Sequence, residues 1–160
     1  MDSLELAPEL QVAQWINTLT PVTLAGLRGK VVVVEAFQML CPGCVMHGLP
    51  QAQRVQRAFH NEDVAVIGLH TVFEHHAAMT PVSLQAFLYE YRITFPVGVD
   101  APSSDGPVPR TMAAYSMRGT PTLLLIDRKG YLRHHHFGQV DDLVLGAQIA
   151  MLAAEPVLAG

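Results

Sequence analysis

The stretch Val31-Val32-Val33-Val34-Glu35-Ala36-Phe37-Gln38-Met39-Leu40-Cys41-Pro42-Gly43-Cys44 decides the architecture. Four successive β-branched apolar residues read as a strand buried on both faces, the signature of a largely parallel sheet. From Val45 to about Asn61 the apolar residues Leu49, Ala52, Val55 and Phe59 return at helical spacing. The two cysteines of the chain therefore stand where a buried strand hands over to a helix. A helix N-terminus offers unpaired N–H groups and the positive end of a dipole, and both stabilise a thiolate at Cys41. Cys44, one turn on, faces back toward Cys41, so a disulfide can close between them. Pro42 lacks an N–H and suits a helix start, and Gly43 lets a partner chain come close. Half of a zinc site is an alternative, but no second C-x-x-C or H-x3-H pair supplies the remaining ligands. Two inert buried cysteines are the other.

Working outward, residues 1–20 read as a helix, with Leu6, Leu10, Ala13 and Ile16 on one face and Trp15 nearby. Residues 22–29 read as a short strand or turn. Val64 to Leu69 forms a second apolar strand. Thr80 is placed to cap a helix that starts at Pro81 and turns Leu84, Phe87, Leu88 and Tyr91 inward. Phe95 to Asp100 reads as a short strand, at a sheet edge because of Pro96. Residues 101–109 carry three prolines, a glycine and two serines and form a loop, a candidate lid. One or two helical turns follow from Arg110 to Met117. Leu123 to Ile126 and Tyr131 to Phe137 form a hairpin across Asp127-Arg128-Lys129-Gly130. A last helix opens at Asp141-Asp142 and runs to about Ala154. Its composition is apolar on nearly every face, which fits total burial in the core or packing against a second subunit. Alternating strands and helices followed by a hairpin give an α/β fold with a mixed central sheet.

Gly119-Thr120-Pro121-Thr122, lying before an apolar strand, adds to this pattern. With Gly29-Lys30 ahead of the valine run, Cys41-Pro42-Gly43-Cys44 and the Asp127 to Gly130 turn, the chain resembles the thioredoxin superfamily. It is most similar to the TlpA-type and redoxin-type thiol-disulfide oxidoreductases, over roughly residues 22–153. The resemblance implies a thioredoxin-like three-layer sandwich, with helices on both faces of the sheet. It would be a single domain over residues 1–160, with an N-terminal helical extension over 1–20 and an inserted strand–helix unit plus proline-rich loop over 70–118. It implies Cys41 as nucleophile and Cys44 as resolving cysteine, with Pro42, Gly43, Thr120 and Pro121 as the substrate-binding surface. Pro121 would be cis, and the Thr120 backbone free to pair with a substrate strand. Glu35 interrupts an apolar strand six residues before Cys41, and a carboxylate there is costly unless protonated or paired with Lys30 or an arginine. The resemblance assigns it the proton of Cys44, a task for which a pKa raised by burial is suited. No cofactor and no metal are implied. Substrates would be protein disulfides or small thiols, regenerated by an electron-donor reductase or thiol.

Two positions depart from that pattern. Leu40 replaces the tryptophan that many relatives place before the first cysteine, and His47 replaces a common glutamate. A peroxidase of the peroxiredoxin type needs Thr or Ser three residues before its reactive cysteine and Pro seven before. Here Gln38 and Val34 precede Cys41, while Cys41 and Phe37 precede Cys44, so that reading is disfavoured. A binding module without turnover is the remaining alternative, and Sco-like copper capture would need a wider cysteine spacing. His70, after the second core strand, faces the dithiol region or bonds to backbone. His134 and His136 share a strand face, and His75-His76 diverge.

The composition bounds the partners. At 160 residues the chain fits one domain, and its 50% hydrophobic content suffices for a core. Only 15% of residues are charged, against about 25% in typical domains, which hints at a homodimer or a partner groove. A net charge of -4 disfavours nucleic acid. No apolar run reaches the roughly 18 residues of a membrane span. The start, Met1-Asp2-Ser3-Leu4-Glu5, lacks a basic segment followed by an apolar one, so no export signal is expected and a cytoplasmic reductant is.

Overall fold

In the computed structural model, which describes residues 3–157, the chain builds one six-stranded mixed sheet. The strands are β1 (Val12–Ile16), β2 (Val31–Phe37), β3 (Val64–His70), β4 (Val97–Asp100), β5 (Thr122–Ile126) and β6 (Leu132–Phe137). Their order across the sheet is β1-β4-β3-β2-β5-β6. β2 pairs in parallel with β3, and β3 with β4; β5 and β6 continue the sheet antiparallel on one side and β1 on the other. The helices are α1 (Leu49–Ala58), α2 (Pro81–Glu90), α3 (Arg110–Ala114) and α4 (Asp142–Ala153). This is the thioredoxin-like fold. Among the described residues no helix is long and apolar enough to cross a membrane.

The valine run explains itself in this frame. All seven residues of β2 are buried, and alternation sends them to two separate cores. Val31, Val33 and Phe37 meet Leu49, Ala52 and Val55 of α1, Leu84 and Leu88 of α2, and Leu145, Ile149 and Leu152 of α4. Val32, Val34 and Ala36 meet Met112 of α3, Tyr115, and Ala7, Leu10 and Leu24 from the N-terminal segment. Glu35 shares its parity with the first set and so points to the side of α1. Thr80 caps α2 by accepting from Ser83 N–H at 3.2 Å. Asp141 caps α4 by accepting from Leu143 N–H at 2.9 Å. Asp127, buried, stabilises the hairpin turn by accepting from the N–H groups of Lys129 and Tyr131.

Four expectations are corrected. Residues 3–20, the described part of the helix expected over 1–20, are not a helix. β1 pairs with β4 antiparallel, Leu6 bridges to Tyr131, and Leu10 and Ile16 are buried in opposite cores while Leu6 is 59% exposed. The helical spacing was coincidental: Pro8 interrupts it, and β4 needs a partner for its open edge. Gly98 makes room for that partner, since a Cβ there would lie 2.8 Å from Val12. β4 is accordingly not an edge strand. Pro96 precedes it, and the Pro96 carbonyl accepts from Gly68 N–H. Of the two readings of residues 22–29, the turn is the one observed, a 3-10 turn at Ala25–Leu27. Finally, Tyr91 lies 53% exposed, its ring tilted against a half-buried Phe87, and α4 is not totally buried: Leu143, Val144 and Met151 face outward.

Candidate functional site

β2 ends at Phe37, and the chain turns through Gln38, Met39 and Leu40 into the cysteine pair. Cys41 N–H donates to the Gln38 carbonyl at 3.2 Å, and the Gln38 side chain, itself buried, accepts from Phe73 N–H. From Cys44 to Gly48 the helix takes a wider π turn before settling into α1. π turns cluster at functional sites because they re-aim side chains within a helix. Cys41 is half-buried and Cys44 is fully buried behind it; both are free thiols. The Cys44 N–H points at Cys41 Sγ at 3.2 Å, a helix-start donor aimed at a sulfur. The Cys41 thiol in turn donates to the Thr120 carbonyl at 3.5 Å.

Thr120 and Pro121 form the facing wall. The Thr120–Pro121 peptide bond is cis, and Thr122 holds the turn by donating its hydroxyl to the Gly119 carbonyl at 2.7 Å. A Cβ on Gly43 would lie 3.4 Å from Pro121, so the two segments meet closely. Gly43, Thr120 and Pro121 thus stand close to Cys41, and Pro42 follows it as an exposed residue.

Glu35 lies beneath this pair. Its side chain is buried, and Oε1 has no hydrogen-bond partner among the described residues. Neither Lys30 nor an arginine reaches it. Burial first, and the nearby Cys41 second, push its pKa well above the ordinary carboxylate range. Burial, reinforced by the Cys41 sulfur, likewise holds the Cys44 thiol well above the ordinary thiol range. Gly48 makes the space for Glu35: a Cβ at Gly48 would sit 2.1 Å from Glu35 Oε1 and 3.1 Å from Pro121. Sequence reasoning missed Gly48, although a glycine one turn beyond Cys44 in a helical stretch is a signal in itself. It also missed Gln38, whose polarity at the end of an apolar strand marked it for a buried bond.

The histidines sort clearly. His70 ends β3, is buried, and accepts from Met39 N–H through Nε2 at 3.3 Å, so it touches the segment that leads into Cys41. Burial lowers its pKa to about 4. His47 is exposed over a cleft shared with Arg54 and Asp142. His134 and His136 stack with ring centroids 5.8 Å apart, and His136 bonds Gln148. Among the described residues no group of three or more His, Cys, Asp or Glu is arranged to hold a metal.

Comparisons with known proteins agree with this fold. The sequence pattern of the AhpC/TSA family matches residues 5–135. Protein DipZ of Mycobacterium tuberculosis (strain CDC 1551 / Oshkosh) is 30% identical over 144 residues, covering 88% of this chain and 20% of DipZ. The chain therefore spans about a fifth of that relative's length. A solved thioredoxin-like superfamily protein superposes with a TM-score of 0.95 at 67% identity, covering 98% of this chain and 100% of the other. A thiol-disulfide isomerase from Corynebacterium glutamicum gives a TM-score of 0.92 at 51% identity, covering 98% and 100%.

Proposed function

The chain belongs to the AhpC/TSA family, and from that premise we propose that it is a thiol-disulfide oxidoreductase that reduces protein disulfides through Cys41 and Cys44. The observation that carries the reading is the pair itself. A half-buried Cys41 sulfur receives a helix-start N–H, and a buried Cys44 waits behind it. The Cys41 thiolate attacks one sulfur of a substrate disulfide. A mixed disulfide forms, and the other substrate sulfur leaves as a thiolate that takes up a proton. Cys44 then gives its proton to the Glu35 carboxylate and attacks Cys41 Sγ. The second substrate thiol is released, and Cys41 and Cys44 are left oxidised by two electrons. A thiol held protonated by burial needs such a base, and Glu35 is buried beside Gly48 and Pro121 with a free oxygen. Thr120 N–H is unused among the described residues and stands ready for a substrate strand. Exposed Leu40 and Met46 offer the incoming chain apolar surface.

Peroxidase chemistry is the other activity its family name suggests. It finds less support here, because Gln38 and Val34 stand where a peroxide-holding hydroxyl and its proline would be. The test of the proposal is a redox titration of the Cys41–Cys44 pair in glutathione and dithiothreitol buffers, read by thiol trapping and mass spectrometry. A reversible two-electron couple is expected. A potential near about -270 mV marks a reductant suited to the cytosol, and one near about -120 mV an oxidant. Absence of a reversible couple, or thiols protected only by added metal, overturns the reading.

A further inference from the structure

We propose that the cavity between the C-terminal ends of β3 and β4 and the loops over 71–80 and 101–109 binds an uncharged, mainly apolar molecule carrying a carbonyl-type acceptor. The cavity measures about 500 Å³. That is within the roughly 300–1,000 Å³ of small-molecule sites and far beyond what one water fills. Val72, Met79, Val99, Pro107 and Pro109 give it apolar walls, and His70 is part of its lining. The two loops are tied together, since His76 Nε2–H donates to the Pro107 carbonyl at 3.1 Å. The proline-rich loop is thereby held against the opening.

His70 supplies the polar recognition. Its Nε2 accepts from Met39 N–H, so the ring proton of the neutral imidazole sits on Nδ1. Nδ1–H has no partner among the described residues, although the residue is only 1% exposed. A ring donor without a protein partner, on a residue that lines the cavity, is a polar handle for a ligand, and a carbonyl oxygen meets it. Charge is excluded by the same lining. Both Asp100 oxygens are occupied, by Thr111 N–H at 2.7 Å, Met112 N–H at 2.9 Å and the Thr71 hydroxyl at 3.0 Å. His76 is spent on Pro107, and among the described residues no lysine or arginine lines the cavity. An anion finds no counter-charge there, and a cation finds no carboxylate oxygen free to bind it. Occupancy reaches the dithiol through His70. An acceptor on Nδ1–H enriches Nε2 in electron density, which strengthens the Met39 N–H bond two residues before Cys41.

The experiment is a titration of the reduced protein, followed by NMR of the Met39 amide and the His70 ring. Three probes of one shape are used: acetophenone, α-methylstyrene (its C=O replaced by C=CH2) and benzoate. Acetophenone is expected to shift both signals saturably. α-Methylstyrene should bind about three- to tenfold more weakly, the loss of one hydrogen bond, and benzoate should leave both signals in place. Val72→Trp and, independently, Ser103→Trp fill the cavity and should abolish the acetophenone shifts while the amide spectrum of the core strands persists. No saturable shift, equal binding by α-methylstyrene, preference for benzoate, or shifts that survive in a folded cavity-filled variant each overturn the proposal.

Discussion

Cys44→Ala is expected to stop turnover and to leave the protein covalently attached to its substrate. In the structure Cys41 alone has an accessible sulfur, and the Cys44 N–H that points at it is a backbone group that alanine keeps. The first attack therefore proceeds in the variant. The resolving thiol is gone, so the mixed disulfide at Cys41 has no internal exit. Multiple turnover of a peptide disulfide should fall on the order of 10³-fold or more, as when one member of a concerted catalytic set is removed. Mass spectrometry should find one substrate molecule bound through Cys41. Cys41→Ser should show no adduct at all. An adduct on neither variant, or unchanged turnover in Cys44→Ala, removes Cys44 from the mechanism. The variant should fold: the site loses only a sulfur at a buried position, a modest change in volume.

Glu35→Gln gives the second large effect, and it separates the two half-reactions. Attack by Cys41 on substrate should change little, while closure of the Cys41–Cys44 disulfide should slow by about 10²-fold, the usual worth of a positioned base. The pH profile carries the signature. Glu35 works as a base only when ionised, so the wild-type closure rate drops as pH falls through its raised pKa, and that limb disappears in the variant. Stability moves the opposite way. A carboxyl whose folded pKa is raised above the ordinary 4.5 favours the fold in its protonated form. That contribution is complete below the ordinary value and is lost as pH rises through the folded one. Denaturant titrations should then show Glu35→Gln more stable than wild type at alkaline pH, with the gap closing toward acid. The proposed base is thus a buried carboxyl kept at the expense of stability, as reactive sites commonly are. Rapid-mixing measurement of closure, with stability against pH, decides the matter. Equal closure rates in both proteins would reduce Glu35 to a structural residue.

Much of this was legible in the sequence because the decisive signals are local. The valine run needs two apolar surroundings whatever its partners are, and the structure gives it one on each face of β2. Thr80-Pro81 and Asp141-Asp142 each carry their caps within a few residues, and the Asp127 to Gly130 turn joins its own strands. The misreadings came where a distant part of the chain decided. Residues 12–16 became a strand because β4 offers them an edge more than 80 residues away in sequence, and Gly98 leaves space for Val12. Pro96 suggested an edge strand, but it ends just short of the ladder that β1 covers. In the site, Cys41 and Cys44 announced themselves by spacing, and Pro121 through the resemblance that Thr120-Pro121-Thr122 helps to carry. Gly48 did not, because its importance lies in Glu35 Oε1, thirteen positions earlier in sequence and adjacent only after β2 packs beneath the π turn.

The account's central claim is that this AhpC/TSA family member exchanges thiols with disulfides rather than reducing peroxide. The direct measurement is a side-by-side single-turnover rate for the reduced protein against a peptide disulfide and against hydrogen peroxide, monitored by oxidation of the Cys41–Cys44 pair. The account predicts that the disulfide reacts faster by at least about 10²-fold, the scale of one missing oriented transition-state donor set. Faster oxidation by hydrogen peroxide, with the peptide disulfide left intact, would contradict it.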